Sequence, residues 1–234
     1  MNDPKGGAGY PGAERMRPRK EDPSVQLATI DETLKRIRRG EMILVVDDED
    51  RENEGDLQMA ASWVTADALN FMLRWARGLI CMPAAPAVID GLGLAPMVAP
   101  EHAGCDTPFT VPIDHVDTGS GISAADRALT IRRVVDRDAQ RGEFRCPGHV
   151  FPLRAAPGGT LERRGHTEAA VDLALLAGLP PVAVTCEVLD DDGDAASGEV
   201  LRAFAARHRI AMVSIDQIAG HRGAETRSPA TLLL

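Results

Sequence analysis

A run of apolar residues, Met42-Ile43-Leu44-Val45-Val46, leads straight into seven carboxylates within ten residues: Asp47-Asp48-Glu49-Asp50-Arg51-Glu52-Asn53-Glu54-Gly55-Asp56. The apolar run is short and rich in branched side chains, which predicts a buried strand. The acids that follow repel one another at close range. Magnesium or manganese relieves that repulsion, because hard cations prefer oxygen ligands. Arg51 sits in the middle, where it can bind a phosphate or balance the charge. A solvated acidic loop accounts for the charge alone. The buried strand in front, with Arg51 and Gly55 embedded, favours a site.

A second segment differs in kind. Arg163 and Arg164 precede Gly165, and His166-Thr167-Glu168 then open a helical pattern. Helix N-termini bind phosphate through backbone N–H groups and the helix dipole. The arginines add charge-assisted bonds. His166 is a candidate metal ligand or base. The plainer alternative is a helix start with surface charges. Two further residues stand out. His149 follows Pro147-Gly148 and precedes an apolar stretch. Glu187 interrupts the apolar run Val182-Ala183-Val184-Thr185-Cys186-Glu187-Val188. Burying a carboxylate is costly unless it is paired or used. Burial raises its pKa, which suits acid/base work.

The 234 residues, 44% of them hydrophobic, suffice for one ordinary core or two small ones. Aromatics make up only 3%, so the core must come from Ala, Val, Leu, Ile and Met. A net charge of -9 argues against non-specific nucleic-acid binding. No stretch approaches the roughly 20 apolar residues of a membrane span, and the N-terminus has no apolar run of a secretory signal. The expected location is cytoplasmic. The cysteines Cys81, Cys105, Cys146 and Cys186 form no C-x-x-C pair and are expected as free thiols.

Along the chain, residues 1–24 read as a disordered tail, 25–222 as a single domain, and 223–234 as a loose tail. Helical spacing covers 25–39, with Thr29 or Asp31 as cap and Gly40 as stop. Strands are expected at 42–46, 57–61, 78–82, 109–113, 182–189 and 211–215, with a short extended piece at 151–154. Helices are expected at 65–76, 123–133, 167–177 and 199–208. Residues 83–108 read mostly as loop. No G-x-G-x-x-G or Walker loop is present. The mixed order of elements predicts an α+β fold, a mixed sheet flanked by helices.

Four motifs, in chain order, resemble the 3,4-dihydroxy-2-butanone-4-phosphate synthase family of riboflavin biosynthesis. They are the acidic segment 47–56, Gly121-Ile122-Ser123-Ala124-Ala125-Asp126-Arg127, Pro147-Gly148-His149-Val150-Phe151-Pro152-Leu153-Arg154, and Gly165-His166-Thr167-Glu168-Ala169. The resemblance implies that family's α+β fold and a lyase. Its reaction would turn D-ribulose 5-phosphate into formate and L-3,4-dihydroxy-2-butanone 4-phosphate. It implies a homodimer with sites near the subunit interface and a magnesium or manganese ion held by Glu52 and His166. It implies substrate contacts from Arg51, Glu52, Asp56, Arg163, Arg164, Gly165, His166, Thr167 and Glu187. His149 and Glu187 would be the essential acid/base groups.

Some members of the family continue into a GTP cyclohydrolase II domain; this sequence, ending at Leu234, is expected to be the single-function form. Three positions depart from the family pattern: Cys146 stands where Arg is usual, Gly119-Ser120 where Thr-Thr is usual, and Ala195-Ala196-Ser197 where Met-Ala-Arg is usual. Arg145 and Arg164 lie near enough in sequence to compensate. The departures raise two further readings, a paralogue with a changed sugar-phosphate substrate or product and a non-catalytic sugar-phosphate-binding module. His149 and Glu187 speak against the second.

Overall fold

The structure is a computed structural model that describes residues 26–47, 51, 53–99 and 107–226. Its strands are β1 (Ile43–Val46), β2 (Gly55–Ala60), β3 (Cys81–Ala84), β4 (Ile113–His115), β5 (Phe144–Arg154), β6 (Ala183–Glu187) and β7 (Ala211–Ser214). They form one sheet in the order β4-β5-β3-β6-β2-β1-β7. Pairs β1/β7 and β3/β5 are parallel, and β1/β2, β2/β6, β3/β6 and β4/β5 are antiparallel. The helices are α1 (Ile30–Arg38), α2 (Ala66–Phe71), α3 (Pro86–Gly91), α4 (Ala124–Val134), α5 (His166–Leu176), α6 (Gly198–His208) and α7 (Ile215–Thr226). This is the expected α+β architecture, a mixed sheet between helices.

Alternation along the strands separates two cores. On one face, Ile43, Val45, Ala60 and Val213 pack against Leu34 and Ile37 of α1, Ala169 and Leu173 of α5, and Ile218 of α7. On the other, Leu44, Leu57, Met59, Met82, Val184 and Cys186 meet Leu69 of α2, Ile131 of α4, and Leu201 and Phe204 of α6. Aliphatic residues dominate both cores, as the scarcity of aromatics requires. Among the described residues no helix is long and apolar enough to cross a membrane. Cys81, Cys146 and Cys186 are free thiols; Cys105 lies outside the described residues.

Several elements differ from the expectation. Helix α1 starts at Ile30, not at 25, because Thr29 is extended and its hydroxyl accepts the N–H of Glu32 at 3.3 Å. Leu27, counted on the helical face, is 45% exposed. Strand β3 starts at Cys81 because Gly78 and Leu79 turn to bind Glu187. The expected loop 83–108 contains α3, with Pro86 in its first turn. Strand β5 runs from Phe144 rather than 151. Helix α7 has no clean apolar stripe, since Ile215, Ile218 and Ala219 carry its burial, and it continues past Arg222 to Thr226.

Candidate active site

Strand β2 sends Leu57 and Met59 to one core and Ala60 to the other. The same alternation turns Asp56 and Gln58 towards α5. Asp56 is the register partner of Glu187 on β6, so two acids stand side by side at one end of the sheet. Asp56 is only 4% exposed, and its Oδ2 accepts the hydroxyl of Thr185 at 2.7 Å. The Oε2 of Glu187 accepts the backbone N–H of Leu79 at 2.8 Å. Neither acid has an arginine or lysine partner among the described residues. Burial pushes the Glu187 carboxyl above the usual range; Asp56 and, more weakly, Glu54 add to this, against the pull of backbone N–H groups. Two thiols sense the same negative field. Cys186 is pushed up to about 12 by burial, Glu187 and Asp56, and burial with the same acids raises Cys81 further. Cys81 is therefore a neutral packing thiol, not a nucleophile.

The N-terminus of α5 lies over this row. The Nε2 of Gln58 donates to the carbonyl of His166 at 2.9 Å, which pins the first residue of the helix one step along β2 from Asp56. His166 and Thr167 are 8% and 5% exposed. Gly165 is the N-cap and offers no side chain to the first-turn N–H groups, which leaves that end to an outside anion. Arg163 folds back onto the fully buried Glu168, with Nη1 to Oε2 at 2.7 Å, while Oε1 of Glu168 accepts the N–H of Ala156 at 3.0 Å. A Cβ at Gly165 would stand 2.2 Å from that arginine nitrogen. Glycine at 165 is thus needed for the Arg163–Glu168 pair to close.

Other predicted residues fall at different places. The acidic segment links β1 to β2, and Asp47 and Glu54 join across its base through their backbones at 3.1 Å. Arg51 is ion-paired to Asp47, whose side chain is buried. Glu52, predicted as metal and substrate ligand, lies outside the described residues, as do Asp48, Glu49 and Asp50. Arg164 points away to α7 and pairs with Asp216 on the surface. His149 is on β5 and is held by Asp114. Strand β3 lies between β5 and β6, so His149 and Glu187 share a sheet end but not a strand pair.

The departures also have structural partners. Cys146 is exposed, with Arg141 Nη2 3.2 Å from its sulfur. Arg145 Nη2 is taken by the hydroxyl of Thr118 at 2.8 Å and its carbonyl at 3.0 Å. Gly119 donates its N–H to Asp126 at 3.3 Å, and Ala196 is buried, its N–H on the carbonyl of Val188 at 2.8 Å. Arg145 and Arg164 are therefore both occupied by internal partners.

The sequence reading assigned no role to Gln58, Thr185, Glu168 or Asp114, which hold the others in position. The signal that picked out Glu187, a polar residue in an apolar strand, applies equally to Gln58 between Leu57 and Met59. Thr185, Glu168 and Asp114 show their importance only through contacts distant in sequence.

The arrangement combines an unbalanced acidic pair, an anion-receptive helix end and a histidine at their junction. It is suited to a small polar substrate with an anionic end; among the described residues no group of three or more His, Cys, Asp or Glu side chains could hold a metal ion. The family described as 3,4-dihydroxy-2-butanone 4-phosphate synthase matches residues 31–221. The chain is 46% identical over 198 residues to the riboflavin biosynthesis protein RibBA of Staphylococcus saprophyticus, across 85% of this chain and 50% of that protein. It is 49% identical over 197 residues to a 3,4-dihydroxy-2-butanone 4-phosphate synthase of Pseudomonas aeruginosa, across 84% and 54%. The chain thus spans about half the length of the curated relatives it matches. Among solved structures, a 3,4-dihydroxy-2-butanone 4-phosphate synthase in complex with two magnesium ions superimposes with a TM-score of 0.79 at 40% identity, covering 83% of this chain and 96% of that one. The two-domain synthase RibBX of A. baumannii gives 0.80 at 42%, covering 83% and 58%.

Proposed function

Because the chain belongs to the 3,4-dihydroxy-2-butanone 4-phosphate synthase family, we propose that it converts D-ribulose 5-phosphate into formate and L-3,4-dihydroxy-2-butanone 4-phosphate for riboflavin biosynthesis. The proposal includes magnesium or manganese as cofactor, a homodimer with sites near the subunit interface, a cytoplasmic location, and one catalytic domain over residues 25–222 between two tails. The observation that carries it is the Asp56–Glu187 pair, two acids in register with no cationic side-chain partner among the described residues. Such a pair is stable only where a cation or a polar substrate enters.

His166 sits at the end of α5 beside the acidic row, and its imidazole with the Glu52 carboxylate are donor types that a hard cation accepts. A magnesium ion on Glu52 and His166 would supply Lewis-acid polarisation of the ketose oxygens. The remaining work falls to the chain. Arg163, fixed by Glu168, and the N-terminal end of α5 receive the phosphate. Asp56 accepts hydrogen bonds from sugar hydroxyls, and Arg51 contributes charge from the loop. Enolising the ketose requires a base for a carbon-bound proton, and loss of water requires an acid. Glu187, its carboxyl raised above the usual range by burial and Asp56, and His149 fill those roles. The rearrangement then releases one carbon as formate.

The test incubates purified protein with ribulose 5-phosphate and magnesium and assays formate and the four-carbon product. Formate should appear, and should disappear with a chelator and with Glu187→Ala. Substrate consumption without formate, or binding without turnover, would reject the proposal.

A further inference from the structure

His149 sits in an unusual part of the sheet. Opposite β4, the register of β5 steps from Ile113↔Val150 directly to Asp114↔Arg145. Residues 146–149 therefore have no partner on β4 and bulge from the ladder. The bulge is pressed close, since a Cβ on Gly148 would stand 2.0 Å from the backbone of Ile113. This brings the backbone N–H and ring Nδ1 of His149 onto one buried carboxylate. Oδ1 of Asp114 accepts the backbone N–H of His149 at 2.8 Å, and Oδ2 lies 2.8 Å from ring Nδ1. Asp114 is 5% exposed and cannot swing away. Gly121, at φ +87°, closes its other side, where a Cβ would be 2.0 Å from Oδ2.

The other charged groups nearby are engaged elsewhere. On β4 and the turn after it, His115 Nδ1 accepts the N–H of Asp117 at 3.2 Å. On α4, Asp126 accepts the N–H groups of Gly119 and Gly121, and Arg127 is buried towards Cys186. On β5, Arg145 is bound to Thr118. Asp114 meets the ring of His149 at Nδ1.

A carboxylate has only acceptors, so a bond to Nδ1 puts the proton on Nδ1 and leaves Nε2 of the neutral ring bare. We propose that Asp114 is the positioning residue of His149, holding the Nδ1–H tautomer so that Nε2 is the atom that takes the substrate's proton. The identity of the proton rests on the reaction proposed above; the tautomer does not. Second carboxylates that orient a histidine in this way are a general device for setting its basic nitrogen.

Asp114→Asn is a selective test. Both carboxylate oxygens are in use, and the backbone N–H of His149 still needs an acceptor. The amide oxygen must therefore face that N–H and the amide NH2 must face Nδ1. The ring is then driven to the Nε2–H tautomer, with the bond count unchanged. Long-range 15N–1H spectra, with His149→Gln to identify the signals, should show Nδ1–H in the wild type and Nε2–H in D114N. The turnover of ribulose 5-phosphate should fall about 100- to 10,000-fold in D114N, as in other Asp–His pairs, with KM within about threefold. An Nε2–H signal in the wild type, or D114N with wild-type kcat, overturns the proposal. Should D114N not fold, the wild-type spectrum decides alone. Absence of formate from a wild-type protein whose His149 is Nδ1–H would reject the proposed reaction and leave the positioning role standing.

Discussion

The helix α5 and the two strands beneath it hold two kinds of buried acid. Glu168 and Asp172 lie on the helix, at 0% and 1% exposure, and each meets an arginine: Arg163 at 2.7 Å and Arg222 at 2.7 Å. Every remaining oxygen also has a donor. Glu168 takes the N–H of Ala156, and Asp172 takes the N–H and hydroxyl of Thr160 at 2.8 and 2.6 Å. Asp56 and Glu187, on the sheet, have one another, a threonine hydroxyl and backbone N–H groups. The helix acids are solved electrostatic problems that hold loops in place. The sheet acids have no such cation among the described residues, and the proposed function puts its ligand there.

Three substitutions sharpen that contrast. The largest effect is expected on the helix side. Asp172→Ala takes the carboxylate from Arg222 and the acceptor from Thr160, joining points of the chain 50 and 12 residues away. Urea denaturation should show a loss of about 3 kcal/mol. A loss under about 1 kcal/mol would remove the distinction between structural and functional acids.

An intermediate effect is expected where the two sets meet. Gly165→Ala puts a Cβ into the Arg163–Glu168 pair. Steady-state kinetics with ribulose 5-phosphate should show KM raised about 10- to 100-fold, the cost of misplacing one charge-assisted phosphate contact. An unchanged KM would separate Arg163 from phosphate binding.

The smallest effect is expected from the sheet acids. The folded state raises the Glu187 pKa, so the folded protein binds more proton there than the unfolded chain does. Its contribution to stability then falls as pH rises from the ordinary carboxylate range through the raised value. Glu187→Gln removes this penalty. The variant should match the wild type in acid and exceed it near neutral pH by about 1 kcal/mol or less, read from denaturation curves at both pH values. A variant less stable than the wild type at neutral pH would show Glu187 to be satisfied in place, like Glu168.

The sheet and its flanking helices were legible where the pattern was local. Thr65 and Ser123, the first residues of two expected helices, cap them through the N–H groups of Ala68 and Asp126. Asp126 departs from a full capping box, since its carboxylate turns to Gly119 and Gly121 instead. Strand β5 was read too short because Pro147 and Gly148 ordinarily interrupt strands; here they occupy a bulge. Helix α7 was missed because its burial depends on two isoleucines and an alanine rather than on a periodic stripe.

For the site, composition and order drew attention to the acidic segment, the Arg-Arg-Gly-His-Thr-Glu segment and Glu187, since polar residues in apolar contexts are visible without coordinates, while His149 took its expected role from the family resemblance. The fold class followed in the same way from the alternation of short apolar runs with helical spacings. Only the tertiary structure decided what each residue faces. It set Asp56 against Glu187 across β2 and β6, sent Arg164 to Asp216, turned Arg163 onto Glu168 and put Asp114 behind His149. Those partners lie far apart in sequence or depend on a bulge, and side-chain chemistry is fixed by the neighbour a group meets in space. The sequence supplies the groups; strand register and helix placement choose their partners, and with them which acids are bound up and which remain to act.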